Sequence, residues 1–381
     1  MIGQGTVGAA LVSQLNLDHG LHSYFGRSSE AHPDKTCFVV FGSDNFKNKV
    51  KEELESRPLK LGTFMVKQKQ SDRYLGQILH SDGVKASVNA TISERVAKIK
   101  GAIFEVQSII EQFEMQAMGG MMAAWELWER ALIPSLLSGA GTWVGSTKDE
   151  EERCDKLQEL FWRVMFRVPE SCPRIALRAE TKMMGMRHRI WQMKISLLKR
   201  IKKQGAHSLS GQILQEQRDK NWPGLAREVS EICEELSIPD INIHHIPDSQ
   251  IKKAVYNHHY NKMIDDITNS KKMEKHKNED FHNIQPYMKG KDIYKARMCF
   301  RARCEMVNDV KGNFSSKYKR HGGEAALVCD YCDLDVNETQ AHCLVCPQWE
   351  DLRHGLDLTE IVEMATFLML VEKAKPKDGS K

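Results

Sequence analysis

Residues 91–113 read TISERVAKIKGAIFEVQSIIEQF, and the spacing of their apolar positions decides the class of fold. Ile92, Val96, Ile99, Ile103, Val106, Ile110 and Phe113 recur at alternating intervals of four and three, which is one face of an α-helix. Thr91 and Glu94 also have capping-box spacing, if the helix begins there. Burying those seven side chains contributes roughly 10–20 kcal/mol by transfer estimates, an upper bound before entropy. Such a helix requires a partner. AAWELWERALIPSLL (123–137) supplies one, with Trp125, Trp128, Leu132 and Leu136 on its apolar face and a break expected before Pro134. A third helix is expected from Lys148 to Arg167, carrying Leu157, Leu160, Phe161, Val164 and Met165, and stopped at Val168–Pro169. A fourth is expected over Arg187 to Lys203. Trp125, Trp128 and Trp143 are read as core.

The chain has 381 residues, enough for two or three domains with a real core. Its 55 basic and 51 acidic residues leave a net charge of +4, so local charge matters more than the total. No basic run precedes an apolar segment at the start, which argues against a secretory signal. Ile361 to Val371 is interrupted by Glu363 and too short to span a bilayer. Cys37, Cys154, Cys172, Cys233, Cys299 and Cys304 have no regular spacing, as in an intracellular, reduced protein of nucleus or cytoplasm.

The remaining cysteines crowd into CDYCDLDVNETQAHCLVC (329–346). Cys329, Cys332, His342 and Cys346 form C-x2-C-x9-H-x3-C, a pattern suited to tetrahedral structural zinc. Cys343 is excluded because adjacent side chains diverge, whereas His342 and Cys346 can face one metal from a helical turn. Asp330, Asp333 and Asp335 are harder ligands and are read as surface. The His244–His245 and His258–His259 pairs are read as surface histidines for the same reason of divergence.

GQGTVG (3–8) spells a dinucleotide-binding turn, but only Met1 and Ile2 stand where a first strand must be. Asp18 follows a helix-like stretch rather than a second strand, so a nicotinamide-dependent oxidoreductase is disfavoured. The alternative is a glycine turn opening a helix with Val7, Leu11, Leu15 and Leu17. DKTCFVVFG (34–42) then reads as a buried strand, SDNFKNKVKEELESR (43–57) as an exposed helix, and RYLGQILHSDG (73–83) as a short strand and turn.

This succession resembles the end of the palm of non-LTR (LINE-type) retrotransposon reverse transcriptases. The resemblance matches Gln4 and Gly5 to the QG motif flanking template and incoming nucleotide. Asp34, Lys35 and Thr36 match the strand after the catalytic hairpin, and Tyr74, Leu75 and Gly76 match the YLG near the primer grip. LIPSLLSGAGTW (132–143), VPESCPRIALRAET (168–181) and the basic helix after them resemble the thumb and post-thumb of the same family. The family's aspartate pair should lie between the QG helix and the DKT strand, where this chain has GRSSEAHP (26–33). The family's earlier aspartate would lie before Met1. Asp265–Asp266 in KMIDDITNS reads as a solvated helical face. The two-metal chemistry of polymerisation therefore has no carboxylate set here, and magnesium belongs only to an intact parent enzyme.

Two basic stretches offer places for nucleic acid. Arg187, Arg189, Lys194, Lys199, Arg200, Lys202 and Lys203 fall within seventeen residues with no acid, beside an apolar row of Ile190, Met193, Leu197 and Ile201. From Lys289 to Arg320 ten basic residues face three acids. Lys295, Arg297, Arg301, Arg303, Lys317, Lys319 and Arg320 are the candidate contacts there, with Tyr294, Phe300, Phe314 and Tyr318 interleaved.

The expected fold is mainly α with a small α/β remnant at the N-terminus, a helical thumb-like bundle and a small zinc-knuckle module. Its segments are a palm remnant (1–85), a thumb-like domain (86–205) and a charged helical or linker region (206–286). A basic segment with the knuckle (287–350) and a closing helix and tail (351–381) follow. The expected function is that of a truncated, catalytically inactive reverse transcriptase that binds single-stranded or structured RNA or DNA, with no membrane partner. The alternatives are part of an active polymerase whose catalytic exon is missing, and a protein-interaction scaffold.

Overall fold

The structure is a computed structural model and describes residues 37–61, 64–74, 76–112, 120–239, 243–270, 273, 276, 277, 279, 281–304, 329, 331, 332, 334, 336 and 340–374. Ser43 opens the first helix, α1 (Asp44–Ser56), by accepting the Phe46 N–H on its hydroxyl. Only Val50 of α1 is buried, against Phe38 and Val40, so the helix is exposed as its charges require. The strands around it are short. β1 (Cys37–Phe38) pairs in parallel with β4 (Lys67–Gln68), β2 (Lys60–Leu61) is antiparallel to β3 (Phe64–Met65), and β5 (Ser71–Tyr74) forms a hairpin with β6 (Gln77–His80). The described part is thus mainly helical, with little strand.

Helix α2 (Val84–Gln112) begins a full two turns before Thr91. Thr91 is buried and its hydroxyl accepts the Ile78 N–H of β6, while Glu94 pairs with Arg73 of β5. Both residues serve the hairpin rather than a helix cap. Val88, Ile92, Ile99 and Ile103 form the buried stripe.

α3 (Met121–Leu127) runs without a break through a π-helical turn (Trp128–Leu132) into α4 (Ile133–Leu137). Pro134 explains the turn. A proline ring collides with the carbonyl four residues back; here the Ile133 N–H reaches five residues back to Trp128 O, widening the coil so the chain continues. The expected break is therefore a bulge.

A reciprocal capping box starts α5 (Lys148–Phe166): the Thr147 hydroxyl accepts the Glu150 N–H and the Glu150 carboxylate accepts the Thr147 N–H. Arg167, at φ 53°, ends it, with the Val168 N–H on Arg163 O and the Arg167 N–H on Val164 O. The helices that follow are α6 (Arg174–Thr181), α7 (Met186–Gln204), α8 (Leu209–Asp219), α9 (Leu225–Glu235) and α10 (Asp248–Asn269). The last are α11 (Ile293–Arg303), α12 (Gln340–Val345), α13 (Glu350–Arg353) and α14 (Ile361–Ala374). None of the described helices is long and apolar enough to cross a membrane.

The chain divides into two compact units. One comprises the described residues up to Arg95 with Ser138–Glu151 and Met193–His245. Within it the Arg95 guanidinium donates to Gly76 O at 2.6 Å and to Ser138 O, and lies over the Trp143 ring. Gln77 donates to Ser138 O and accepts from the Trp143 indole, so the hairpin turn and the SGAGTW loop are held together. Gly141 is required there, because a Cβ would stand 2.8 Å from Met193 O.

The other unit comprises Val96–Leu137, Glu152–Gln192 and the described residues from Ile246 onward. An aromatic column runs through its core: Trp128 stacks on Phe161 at 4.8 Å, Phe161 meets Trp162 edge-on, Trp162 meets Phe166, and Phe166 stacks on Phe300 at 4.0 Å. Trp128 is fully buried here, as Trp143 is in the first unit, and the half-buried Trp125 donates its indole N–H to Thr181 O.

Candidate metal centre and basic surfaces

Cys329, Cys332, His342 and Cys346 each bring one ligand atom to a common point, all within 4.8 Å of one another. Cys332 Sγ lies 3.4 Å from His342 Nε2. Tetrahedral zinc, with Zn–S and Zn–N near 2.3 and 2.0–2.1 Å, separates sulfur from nitrogen by about 3.6 Å and two sulfurs by about 3.8 Å. The Cys332–His342 separation is close to that spacing and the other ligand atoms are near enough to close on one ion, and three thiols with one imidazole form a donor set suited to zinc.

Local structure explains the convergence. The Cys329 N–H closes a turn on Val336 O, aiming the first pair inward. His342 rides on α12, and Cys346 precedes the 3-10 turn Pro347–Trp349, its carbonyl held by the Arg353 guanidinium at 2.7 Å. Cys343, one position round α12 from His342, is buried in the apolar core beneath. That core joins Cys329, Cys343, Cys346 and Trp349 to Met298, Cys299 and Ala302 of α11 and to Ala365, Phe367, Leu368 and Val371 of α14. The buried Gln340 amide donates to Ala302 O at the end of α11, satisfying a terminal carbonyl that the helix leaves unpaired. The cluster is therefore built onto two helices and does not stand as a free knuckle.

Burial pushes the Cys329 thiol up to about 11 and raises that of Cys346, with the Cys332 side chain adding to both. Thiols held neutral in this way ionise when a divalent cation supplies the missing positive charge. The residues present thus fit a structural zinc ion, which would be held by these four side chains and would crosslink the two arms of the segment.

The basic residues meet different fates. Lys194 is buried: its ammonium contacts Glu228 at 2.9 Å and Ser146 Oγ at 3.1 Å. The apolar row of α7 expected through Met193, Leu197 and Ile201 is turned by one position, so that Ile190, Trp191, Lys194, Ile195 and Leu198 are buried. Lys194 falls between Ile190 and Leu198 on the same face, which removes it from any phosphate surface. Arg189 pairs with Glu129 at 2.5 Å, and Arg187 lies over the Trp191 ring at 4.7 Å. Arg200 and Lys203 are exposed, with Lys199 and Lys202 half-buried beside them.

On α11, Arg297 is buried with its Nε donating to Met165 O, and Arg301 donates to Arg167 O. Arg303 pairs with Glu180 and Glu279. Arg297 and Arg303 are thus structural cations, a correction to their expected role. Lys295 is half-buried. Tyr74 is 63 % exposed on β5, and Gly76 turns the hairpin at φ 78°. Gln4, Gly5, Asp34, Lys35, Thr36, Leu75, Lys317, Lys319 and Arg320, with Asp330, Asp333 and Asp335, lie outside the described residues. Asp265 and Asp266 are both exposed on α10.

Of the histidine pairs, His244 and His245 are exposed. His259 is buried instead, its Nε2 3.1 Å from Met183 O, and His258 Nδ1 lies 3.1 Å from the buried His188 Nε2. The two side chains do diverge, but the half-buried His258 meets His188 and Trp191 while His259 lies on the buried face of α10. A buried group around Glu180, with His276, Glu279, Tyr287 and Arg303, escapes sequence reasoning because its members lie up to 123 residues apart. No family model, no curated protein and no solved structure matches the chain.

Proposed function

We propose that the chain is a nucleic-acid-binding protein of the non-LTR reverse transcriptase type that does not itself polymerise. A zinc-ordered C-terminal segment and the outer cations of α7 would grip single-stranded or structured RNA or DNA. The observation that carries this reading is the convergence of Cys329, Cys332, His342 and Cys346 on a core shared with α11, directly following the basic stretch from Lys289 to Arg320. Metal binding there orders chain that is too short to bury a core of its own. The order of the QG, DKT, YLG and SGAGTW motifs along the chain supports the parent family.

Fluorescence anisotropy with a labelled single-stranded RNA tests the reading. If Lys199, Arg200, Lys202 and Lys203 each neutralise one phosphate, affinity falls about fifty-fold between 50 and 200 mM salt. The Cys329→Ser/Cys332→Ser variant binds more weakly at every salt concentration. Affinity indifferent to salt and to that variant refutes the proposal. Primer extension with labelled dNTPs on an annealed template gives no product; incorporation would restore the polymerase reading.

A second reading, a zinc-stabilised scaffold for protein partners, draws on the internal commitment of Lys194, Arg189, Arg297 and Arg303, which leaves fewer cations outside. Unchanged mobility of labelled RNA at low salt favours it.

A further inference from the structure

Glu180, at the C-terminal end of α6, has no exposed surface. Its Oε2 accepts the Tyr287 hydroxyl at 2.7 Å, and both of its oxygens accept from Arg303 Nε, at 2.8 and 3.0 Å. Glu279 takes the other end of the same guanidinium. Arg303 thus balances one of two carboxylates, and the group lacks one positive charge.

His276 supplies it. The ring is 4 % exposed, and each nitrogen faces an acceptor: Nε2 is 3.0 Å from Arg303 O, and Nδ1 is 3.2 Å from Glu279 Oε1 and 3.9 Å from Glu180 Oε1. Nδ1 makes no aligned hydrogen bond, but a neutral ring that donates Nε2–H to Arg303 O would set its Nδ1 lone pair against two carboxylates, whereas the imidazolium sets a positive charge there. Burial raises the pKa of Glu180 too, against the opposing charge of Arg303; the proton is assigned to His276 because both Glu180 oxygens already accept hydrogen bonds.

We propose that His276 is a resident imidazolium that latches the chain around Glu279 and Tyr287 onto α6 and α11, and that the latch opens when the ring loses its proton. The charged and titratable groups facing this site are Glu180 from α6, Arg303 and Cys304 from the end of α11, Tyr287 from the 3-10 turn Pro286–Lys289, and Glu279 beside His276. Tyr287 and Cys304 stay neutral, Tyr287 chiefly through burial and Cys304 through its hydrogen bond to Cys172 together with burial. Burial by itself lowers the affinity of His276 for its proton. The close contact with Glu279 and the charges of Glu279 and Glu180 outweigh burial and the opposing Arg303, and raise the pKa above its ordinary 6.5. A raised native pKa gives stability that is complete below the unfolded value and disappears as pH rises through the native one. In that window opening releases up to one proton, so its equilibrium constant rises with pH, by at most about tenfold per unit, and then levels off.

The arrangement also resembles three legs of a metal site, since Glu180, His276 and Glu279 bring ligand atoms within 4.8 Å. Arg303 decides against it: a divalent ion added to two carboxylates and a guanidinium leaves a buried surplus of positive charge.

Histidine C2–H exchange read by mass spectrometry on the full, zinc-loaded chain gives the midpoint for His276 directly. A midpoint above 6.5 is expected; one at or below 6.5 overturns the proposal. Amide exchange of the peptide spanning 276–289, corrected for intrinsic rates, should rise with pH through the His276 midpoint in the wild type and be faster and pH-independent in His276→Gln. Equal, pH-independent protection in both overturns it. So does a stoichiometric metal ion that survives in Cys329→Ser/Cys332→Ser and is lost in His276→Gln.

Discussion

Replacing Lys194 by methionine separates a buried ion pair from a phosphate contact. The side chain is 5 % exposed and its ammonium lies 2.9 Å from Glu228 Oε2, while Glu228 also takes the Gly145 N–H. Methionine keeps most of the aliphatic stem, so the loss is electrostatic rather than a cavity. Breaking a buried pair by removing one partner costs roughly 3–5 kcal/mol. Glu228 is 23 % exposed and keeps the Gly145 donor, so water and that amide recover part of the loss. An expected cost of about 2–3 kcal/mol remains, or roughly a 30- to 150-fold shift in the unfolding equilibrium. Urea denaturation followed by tryptophan fluorescence measures it. Lys194→Met/Glu228→Leu should be less destabilised than the sum of the two single changes, because no uncompensated charge is left. RNA affinity of the folded Lys194→Met protein and its salt slope should match wild type. A variant within about 0.5 kcal/mol of wild type whose salt slope falls by one phosphate would refute the burial of Lys194.

Cys329→Ser, or chelation of the wild type, should abolish stoichiometric zinc and raise proteolysis within 329–374 while the aromatic column around Trp128 and Phe161 stays protected. Phe300→Ala removes one half of a stacked, fully buried pair and should cost about 3–5 kcal/mol, measured by urea denaturation. Burial holds the native pKa of His259 near about 4 and of His188 near about 2, so both stay neutral while the unfolded chain takes up protons below pH 6.5. The stability they contribute is present above 6.5 and lost on acidification, about 1.4 kcal/mol for each at pH 5.5; thermal melts at pH 7.5 and 5.5 should show His259→Gln losing less than wild type. Arg200→Ala/Lys203→Ala should lower the salt slope of RNA binding by about 1.4 without moving the melting temperature.

The metal quartet was accessible from sequence because its chemistry is local. Two ligands three residues apart and two four apart pre-empt most of the geometry, and the residue beside His342 must point elsewhere. The helices were accessible for the same reason: the stripes of α2 and α5 and the stop at Val168–Pro169 are short-range patterns. Their ends were less so. Thr91 has the spacing of a cap, yet its hydroxyl is taken by β6, thirteen residues away. Pro134 signals a break, yet a five-residue hydrogen bond absorbs it, and nothing around Pro134 announces that alternative.

Charge was the least transparent property. Lys194, Arg297 and Arg303 belong to runs that look like nucleic-acid surfaces, and their counter-charges or carbonyl acceptors lie 24 to 132 residues distant. The exposed Arg200 has the same composition around it as the buried Lys194, and one step of helical rotation separates their roles.

Sequence by itself determined that the chain is mainly helical, where the apolar stripes of α2 and α5 run, and which four side chains can meet one metal ion. Those properties follow from spacing along the chain, where 3.6 residues per turn and ligand reach act over a few positions. Tertiary structure alone decided which cations reach solvent, that His259 is buried, and that Glu180, His276, Glu279 and Arg303 share one enclosed space. Burying a charge is costly unless a partner arrives, and whether it arrives depends on the packing of segments far apart in the chain.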